Sequence, residues 1–421
     1  MLKTIIQPSR WMVNFLMLLQ LRLSKPQRQH LLRLSEALVV CQESHKTLAA
    51  LNRQWVEAPD VSTEAHFLRQ SPWSQHAMRA TVADFMLRHL IEQAQVEQAE
   101  PVVYIALDDS KADKDEATTK LEAVDWTHDH HRSTKRRPVY VKAASHVSVR
   151  VQIGRHSYPL TFRLYLREKT VRRLNRGRSK AERLRFRSKY RLAREMLEEL
   201  KALLRVQLPK GYRIYVLFDS WYASARLIKY VRRQGWHVIC TLKSNRLVDG
   251  TQLSQHHKRL KHQPYIGVRA ADGKTYLVRQ LHGHLREISF AVRVLISKRH
   301  PRDRHPKYLM TTDLSLSAAK VLQGFAKRWS IEVEYWTIKE QLGLADFRMW
   351  RYEAIERWYT LVYLVLAFLT WRSRVSGQSL SQVMHDHRRA HARAVLVSAC
   401  EAVRETGDLA GVLPRYIGHA A

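Results

Sequence analysis

The chain has 421 residues, 45% of them hydrophobic and 26% charged, with a formal net charge of +34. That length exceeds the roughly 250–300 residues at which one core stops growing, so two or three domains are expected. Sparse glycine and proline exclude a collagen-like or broadly disordered chain. A body this basic repels itself unless it meets a polyanion. DNA or RNA is the natural partner, because Lys and Arg contacts to phosphate release counterions.

Residues 1–95 read as helical. Stretches 31–38 and 47–51 have helical apolar spacing, and the polar stretch 57–64 divides two helical groups. Such a front module either reads DNA or packs against the rest. The apolar run 11–19 is interrupted by Asn14, is soon followed by Arg22 and lacks a small-x-small cleavage site, so it is not read as a signal peptide. From residue 101 the pattern turns to strands. Val102–Leu107 is the first, and 139–153 with 158–166 form a meander turning near Gly154. A long basic helical stretch runs from Glu168 to about Leu208, with thirteen Lys or Arg against two acidic residues between Arg167 and Arg194. Strand 214–218, helix 221–233 and strand 236–242 follow, and this alternation implies an α/β core with some parallel strands.

Residues 245–310 read as a β-rich insertion, with strand-like runs at 275–281 and 288–297 and a hairpin signal at Asp272–Gly273. After the strand 308–312, Ser317 is placed to cap a helix that begins at Ala318 and carries Glu332. The apolar run 358–371 is 14 residues long between Arg357 and Arg372. That is short of the roughly 20 a membrane span needs, so it reads as a buried helix. The tail is helical and basic. Cys41, Cys240 and Cys400 lie far apart with no C-x-x-C pair, which argues against a zinc knuckle or disulfide framework and fits a reducing compartment.

Three acidic sites carry the chemistry. Asp108 and Asp219 each end an apolar strand run, where carboxylates line the cleft of an α/β sheet. Glu332 lies in the segment 325–339, FAKRWSIEVEYWTIK. At 100° per residue, Phe325, Arg328, Glu332 and Lys339 fall within roughly a 60° arc. Phosphoryl transfer on DNA needs carboxylates gathered from separate segments around hard divalent ions, two of them about 4 Å apart. Each residue also has a bland reading: a turn aspartate, or a solvated helix face with weak ion pairs. The segment 125–131, DWTHDHH, holds further metal-binding side chains but has no partner cluster. Trp329 and Trp336 beside Glu332 read as core packing rather than base-stacking platforms.

The spacing of Phe325, Arg328, Glu332 and Lys339 resembles the Y-x2-R-x3-E-x6-K signature of IS4-like insertion-sequence transposases. Residues 107–110, LDDS, and 219–224, DSWYAS, resemble the family's two aspartate sites. The resemblance covers roughly residues 100–360. It implies an RNase H-like core interrupted by a β-rich insertion, with a helical N-terminal domain and a helical C-terminal tail. The implied boundaries are 1–95, 100–244, 245–306, 307–376 and 377–421. It further implies Asp108, Asp219 and Glu332 as catalytic, metal-binding carboxylates, with two Mg²⁺ per site and Mn²⁺ as a substitute. Arg328 and Lys339 become phosphate contacts near the scissile bond. Phe325 stands where the family has tyrosine, and Asp109 rivals Asp108. Arg183, Arg185 and Arg187 are expected to hold DNA phosphates. The implied activity is cut-and-paste transposition on terminal inverted repeats and target DNA, by a homodimer in the bacterial cytoplasm. No membrane is involved, and without a G-x-x-x-x-G-K-[ST] sequence neither is a nucleotide cofactor. The rivals are a silent DNA-binding protein and an RNase H-like nuclease that does not transpose.

Overall fold

In the computed structural model, residues 3–129, 132–134, 136–270 and 273–417 are described. Five helices lead the chain: α1 Arg10–Leu18, α2 Lys25–Val40, α3 Leu48–Asn52, α4 Val61–Arg69 and α5 Gln75–Val96. Each starts where a short polar side chain satisfies an orphan amide: Ser9, Ser24, Thr47, Asp60 and Ser74. Strands follow as β1 Val102–Lys114, β2 Asp125–His128, β3 Tyr140–Ile153 and β4 His156–Tyr165. Then come α6 Glu168–Asn175, α7 Lys189–Gln207, β5 Arg213–Phe218, α8 Ala225–Arg233 and β6 His237–Leu242. The β-rich stretch holds β7 Leu247–Val248, β8 Thr251–Gln252, α9 Leu253–Arg259, β9 Ile266–Arg269, β10 Thr275–Gly283 and β11 Val292–Lys298. The chain ends with β12 Lys307–Thr311, α10 Ala318–Ala326, α11 Trp329–Trp336, α12 Tyr352–Ser376, α13 Leu380–Thr406 and α14 Leu409–Tyr416.

A large sheet organises most of these elements, in the order β2-β3-β1-β5-β6-β12-β11-β10-β9 with β4 also on β3, while β7 and β8 pair apart from it. β1, β3 and β4 form an antiparallel meander, and β5 and β6 add parallel strands on the other edge of β1. That is the RNase H-like arrangement. The β-rich stretch inserts between β6 and β12 and prolongs the same sheet through antiparallel β11, β10 and β9. From Tyr215 to Phe218 β5 is buried because both its faces are covered: Val216 and Phe218 join one core, Tyr215 and Leu217 the other. The first core runs continuously from the N-terminal helices through the sheet to α12. Residues 358–371 are buried within α12, and no helix among the described residues is long and apolar enough to cross a membrane.

Several elements differ from the expectation. β1 does not stop at Leu107 but continues to Lys114, because β3 still pairs with it after β5 has ended. The basic stretch after Glu168 is not one helix. A 3-10 turn at Lys180–Glu182 and an extended run 183–188 separate α6 from α7. In that run Leu184 and Phe186 turn inward while Arg183 and Arg185 are exposed, a strand-like alternation that defeats helical periodicity. The helix starting at Ala318 breaks at Lys327–Arg328, restarts as α11, and passes into a π-helical turn at Thr337–Gln341. Residues 125–128 are an edge strand on β3. His130, His131 and the Asp272 half of the expected hairpin signal lie outside the described residues.

Candidate active site

The site forms where β1 and β5 part. β1 pairs with β5 in parallel up to Ala106 opposite Leu217. Two residues further along that register, Asp108 stands level with Asp219, the residue after β5. Ending β5 at Phe218 opens a notch at the carboxyl end of a central strand, where functional groups of α/β sheets gather. Asp219 is fixed by its own turn: its Oδ1 accepts the backbone amides of Trp221 at 2.9 Å and Tyr222 at 3.3 Å.

From the other side, α11 brings Glu332, with Arg328 at its N-cap. The Arg328 guanidinium bridges the two acids, Nη1 donating to Asp108 Oδ2 at 2.8 Å and Nη2 to Glu332 Oε1. Its Nε has no partner, and its charge lies 5.6 Å from the Phe325 ring centre. Burial pushes the Asp108 carboxyl up to about 7 against the pull of Arg328, and the charges of Asp219 and Asp109 add to the rise. The notch therefore holds more negative charge than its single bridging arginine neutralises. Perturbed carboxylates of this kind mark sites that wait for a cation or a proton.

Asp109, the rival to Asp108, is occupied elsewhere. Lys189 Nζ, from the first residue of α7, donates to its Oδ2 at 2.5 Å, and the Tyr222 hydroxyl donates to its Oδ1 at 3.1 Å. Burial, followed by the charges of Asp109 and Asp108, pushes the Tyr222 phenol well up, which keeps it a donor. Neither Lys189 nor Tyr222 stands out in the sequence. The only signal is that Tyr222 follows Asp219 closely and that Lys189 lies near the end of the basic run.

Other expected residues sit differently. Lys339 lies in the π-helical turn that follows α11, not in the helix of Glu332 itself. It lies partly buried along β1, drawn toward Asp113 and repelled by Lys111, and burial lowers its ammonium below the ordinary range. Arg328 faces inward to two carboxylates rather than outward. Arg187 pairs with Glu195 at 3.1 Å, while Arg183 and Arg185 remain on the surface. Trp329 and Trp336 are exposed, at 63% and 55%, which overturns their assignment to the core. Asp125 is held by Arg167 and Thr170 and so is tied into the edge of the fold.

Among the described residues, one set of three His, Cys, Asp or Glu side chains has all its ligand atoms within 4.8 Å of one another: Glu36, His387 and His391. Asp108, Asp219 and Glu332 are more widely spread, with Arg328 reaching between two of them. The tight set does not have the chemistry of a metal centre. Both histidines meet Glu36 Oε1 through Nε2, at 2.6 and 2.5 Å, and Arg372 Nη1 lies 3.0 Å from His387 Nδ1. A guanidinium only donates, so His387 Nδ1 accepts and its Nε2–H points to Glu36. A metal-bound histidine instead turns its free N–H toward an acceptor. The set ties α13 to α2.

With this geometry in place, likeness to known proteins decides the family. A family model described as DDE superfamily endonuclease matches residues 18–286, which takes in Asp108 and Asp219. The chain belongs to the DDE superfamily endonucleases. The match ends before Glu332. Among curated proteins no sequence match was found. A solved structure, the cryo-EM synaptic complex of piggyBac transposase with hairpin DNA, is similar at a TM-score of 0.46 and 10% identity. It covers 95% of this chain and 78% of that one.

Proposed function

We propose that this DDE endonuclease is a DNA transposase of the IS4-like kind, cutting at the ends of its element and joining the freed ends to target DNA. The observation that carries the reading is Arg328 bridging Asp108 and Glu332 at the open end of β5, where the charge of Asp219 acts on Asp108. Family membership supports strand cleavage.

The donor set is all carboxylate oxygen, which suits Mg²⁺ or Mn²⁺. Asp108, Asp219 and Glu332 would hold the ions. When bound, these supply Lewis acidity at the scissile phosphate and a more acidic bound water. The protein's own residues do the rest. Asp108 must give up the proton that burial favours, and Arg328 must release at least one of its two carboxylates. The guanidinium, still tethered on α11, then faces the phosphate as a charge and a bidentate donor. Lys189 and Tyr222 keep Asp109 out of the ligand set. Exposed Arg183 and Arg185 extend the phosphate track away from the notch. Water attacks the phosphodiester and breaks its P–O bond, leaving a 3′-hydroxyl. That hydroxyl attacks a target phosphodiester, whose own 3′ oxygen departs. Pairing two element ends calls for two copies of the chain, and this work on DNA fits a nucleoid-associated protein of the bacterial cytoplasm. The units of the chain are those at 1–95, 100–244, 245–306, 307–376 and 377–421.

The test uses a plasmid carrying the coding region with its native flanks, incubated with purified protein and Mg²⁺. Discrete double-strand breaks at two flanking positions, followed by joining to a second plasmid, are expected. Random nicking without joining would reduce the chain to a nuclease, and binding without cleavage to a silent DNA-binding protein.

A further inference from the structure

The segment bearing Glu332 is a short helix with little apolar anchorage. α11 is cut from α10 by the break at Lys327–Arg328 and runs on into the π-helical turn, where Ile338 is buried. Trp329, Val333 and Trp336 face solvent, which leaves Ile331 and Tyr335 as its buried apolar side chains. Apolar burial is non-directional. A rotation of one residue, about 100°, would swing Glu332 off the notch.

Three polar ties join α11 to β3 and β4. Glu334, whose side chain is fully enclosed, accepts from Arg150 Nη1 on β3 at 2.9 Å. Arg150 is itself pinned, donating from Nε to Ser157 Oγ at 2.8 Å and from Nη2 to the Ser157 carbonyl at 2.6 Å. Ser157 Oγ also reaches Ser330 Oγ at 3.1 Å. The Tyr335 and Ser148 hydroxyls meet at 2.9 Å, and Ser148 lies opposite Asp108 in the β1–β3 register.

We infer that Glu334 and Arg150 are positioning residues: their buried ion pair, backed by Ser157–Ser330 and Ser148–Tyr335, locks α11 against β3 so that Glu332 and Arg328 meet Asp108. This rests on the proposed reading of Asp108 and Glu332 as cation ligands. A buried pair of this kind contributes little net stability against a well-packed apolar pair, and its value lies in direction.

That separation gives the test. Arg150→Met combined with Glu334→Leu replaces the pair by apolar side chains, Glu334→Asp keeps the charges but shortens the reach, and Asp108→Asn is the control. The full chain is titrated with Tb³⁺ and followed by luminescence, by melting, by random-duplex binding and by Mn²⁺-dependent cleavage. The paired variant is expected to melt within a few degrees of wild type and to bind duplex unchanged. Its Tb³⁺ Kd should rise, and its cleavage kcat fall, by about tenfold or more with KM little altered. Glu334→Asp should give an intermediate loss. A folded paired variant with wild-type Tb³⁺ affinity overturns the inference. If that variant fails to fold, wild-type Tb³⁺ affinity in both Glu334→Asp and Ser330→Ala overturns it equally. Unchanged Tb³⁺ binding in Asp108→Asn would instead bring down the cation site itself, and the inference with it.

Discussion

Two carboxylates, half-buried Asp108 beside the open end of β5 and buried Glu36 beneath α13, show opposite electrostatic designs. Burial opposes ionisation in both. At Asp108 the neighbouring charges of Asp219 and Asp109 side with burial, and the carboxyl is pushed up to about 7. At Glu36 hydrogen bonds from His387 and His391 overcome burial, and the carboxyl is held down to about 2. Glu36 has what it needs within the fold, whereas Asp108 lacks it. A structural tie satisfies its charges internally, but a site that must take up a cation and release it keeps an internal deficit. The difference separates the candidate active site from the cluster that ligand spacing alone would favour.

The largest effect that tests this contrast is on cleavage. Asp108→Asn, Asp219→Asn and Glu332→Gln should each lower Mg²⁺-dependent strand cleavage by about 10³-fold or more, in the range of removing part of a metal-centred site. Asp108→Asn should leave the melting temperature of the metal-free protein unchanged or raised, because it relieves like-charge repulsion. Near-normal cleavage by any one variant removes that residue from the site. A loss confined to Asp109→Asn would transfer the role of Asp108.

At the other pole, Glu36→Leu should cost about 3–5 kcal/mol of stability, since two buried N–H donors are left without their acceptor. Its cleavage rate at a temperature where it remains folded should match wild type. If that variant melts normally, α13 is not tied to α2 in the way described. If chelators lower the melting temperature of the wild type through this cluster, it holds a metal after all.

Smaller, but opposite in sign at the two poles, is the response to pH in metal-free protein. Native Asp108 keeps its proton to about 7, while the unfolded chain releases it near 4. Over that window the native state binds more protons, so this residue's contribution to stability falls as pH rises. The melting temperature of Asp108→Asn relative to wild type should therefore climb from pH 4 to 7. Glu36, held at about 2, contributes stability that is present above about 4.5 and lost as pH falls toward 2. The deficit of Glu36→Gln should shrink over that acidic window. Parallel pH curves for the two variants would erase the distinction.

Much of this was legible in the sequence, for identifiable reasons. Asp219 ends an apolar run that the fold also ends, because the turn after Phe218 is built from its own carboxylate. Ser317 caps α10 as its position implied. The long apolar stretch in α12 is buried as its length required. What escaped depended on partners distant in sequence. β1 runs beyond Asp108 because β3, some forty residues on, keeps pairing with it. A uniform helical wheel from Phe325 to Lys339 does not anticipate the break at Lys327–Arg328 or the π-helical turn that holds Lys339. The exposed faces of Trp329 and Trp336 contradict residue-type averages, and the occupation of Asp109 by Lys189 joins two segments eighty residues apart.

The least effect is expected in the arginine arm, where the structure divides residues that the sequence treats alike. Arg183 and Arg185 are exposed, while Arg187 is paired with Glu195. Each phosphate left without its arginine should flatten the dependence of log affinity on log salt by about 0.9. Arg183→Glu with Arg185→Glu should therefore reduce the slope by about 2, to the same degree on element-end and random duplexes, because phosphate contacts carry no sequence information. Arg187→Glu should change the slope by less than either single replacement, since in the free protein its charge is already partly spent on Glu195. Its cost should show instead as a small drop in stability, roughly 0–1 kcal/mol for a pair this accessible. Equal slopes for all three positions would mean that DNA draws Arg187 off Glu195. The ion pair would then be a resting arrangement, released when the arm binds, as is proposed for Arg328 and its carboxylates at the notch.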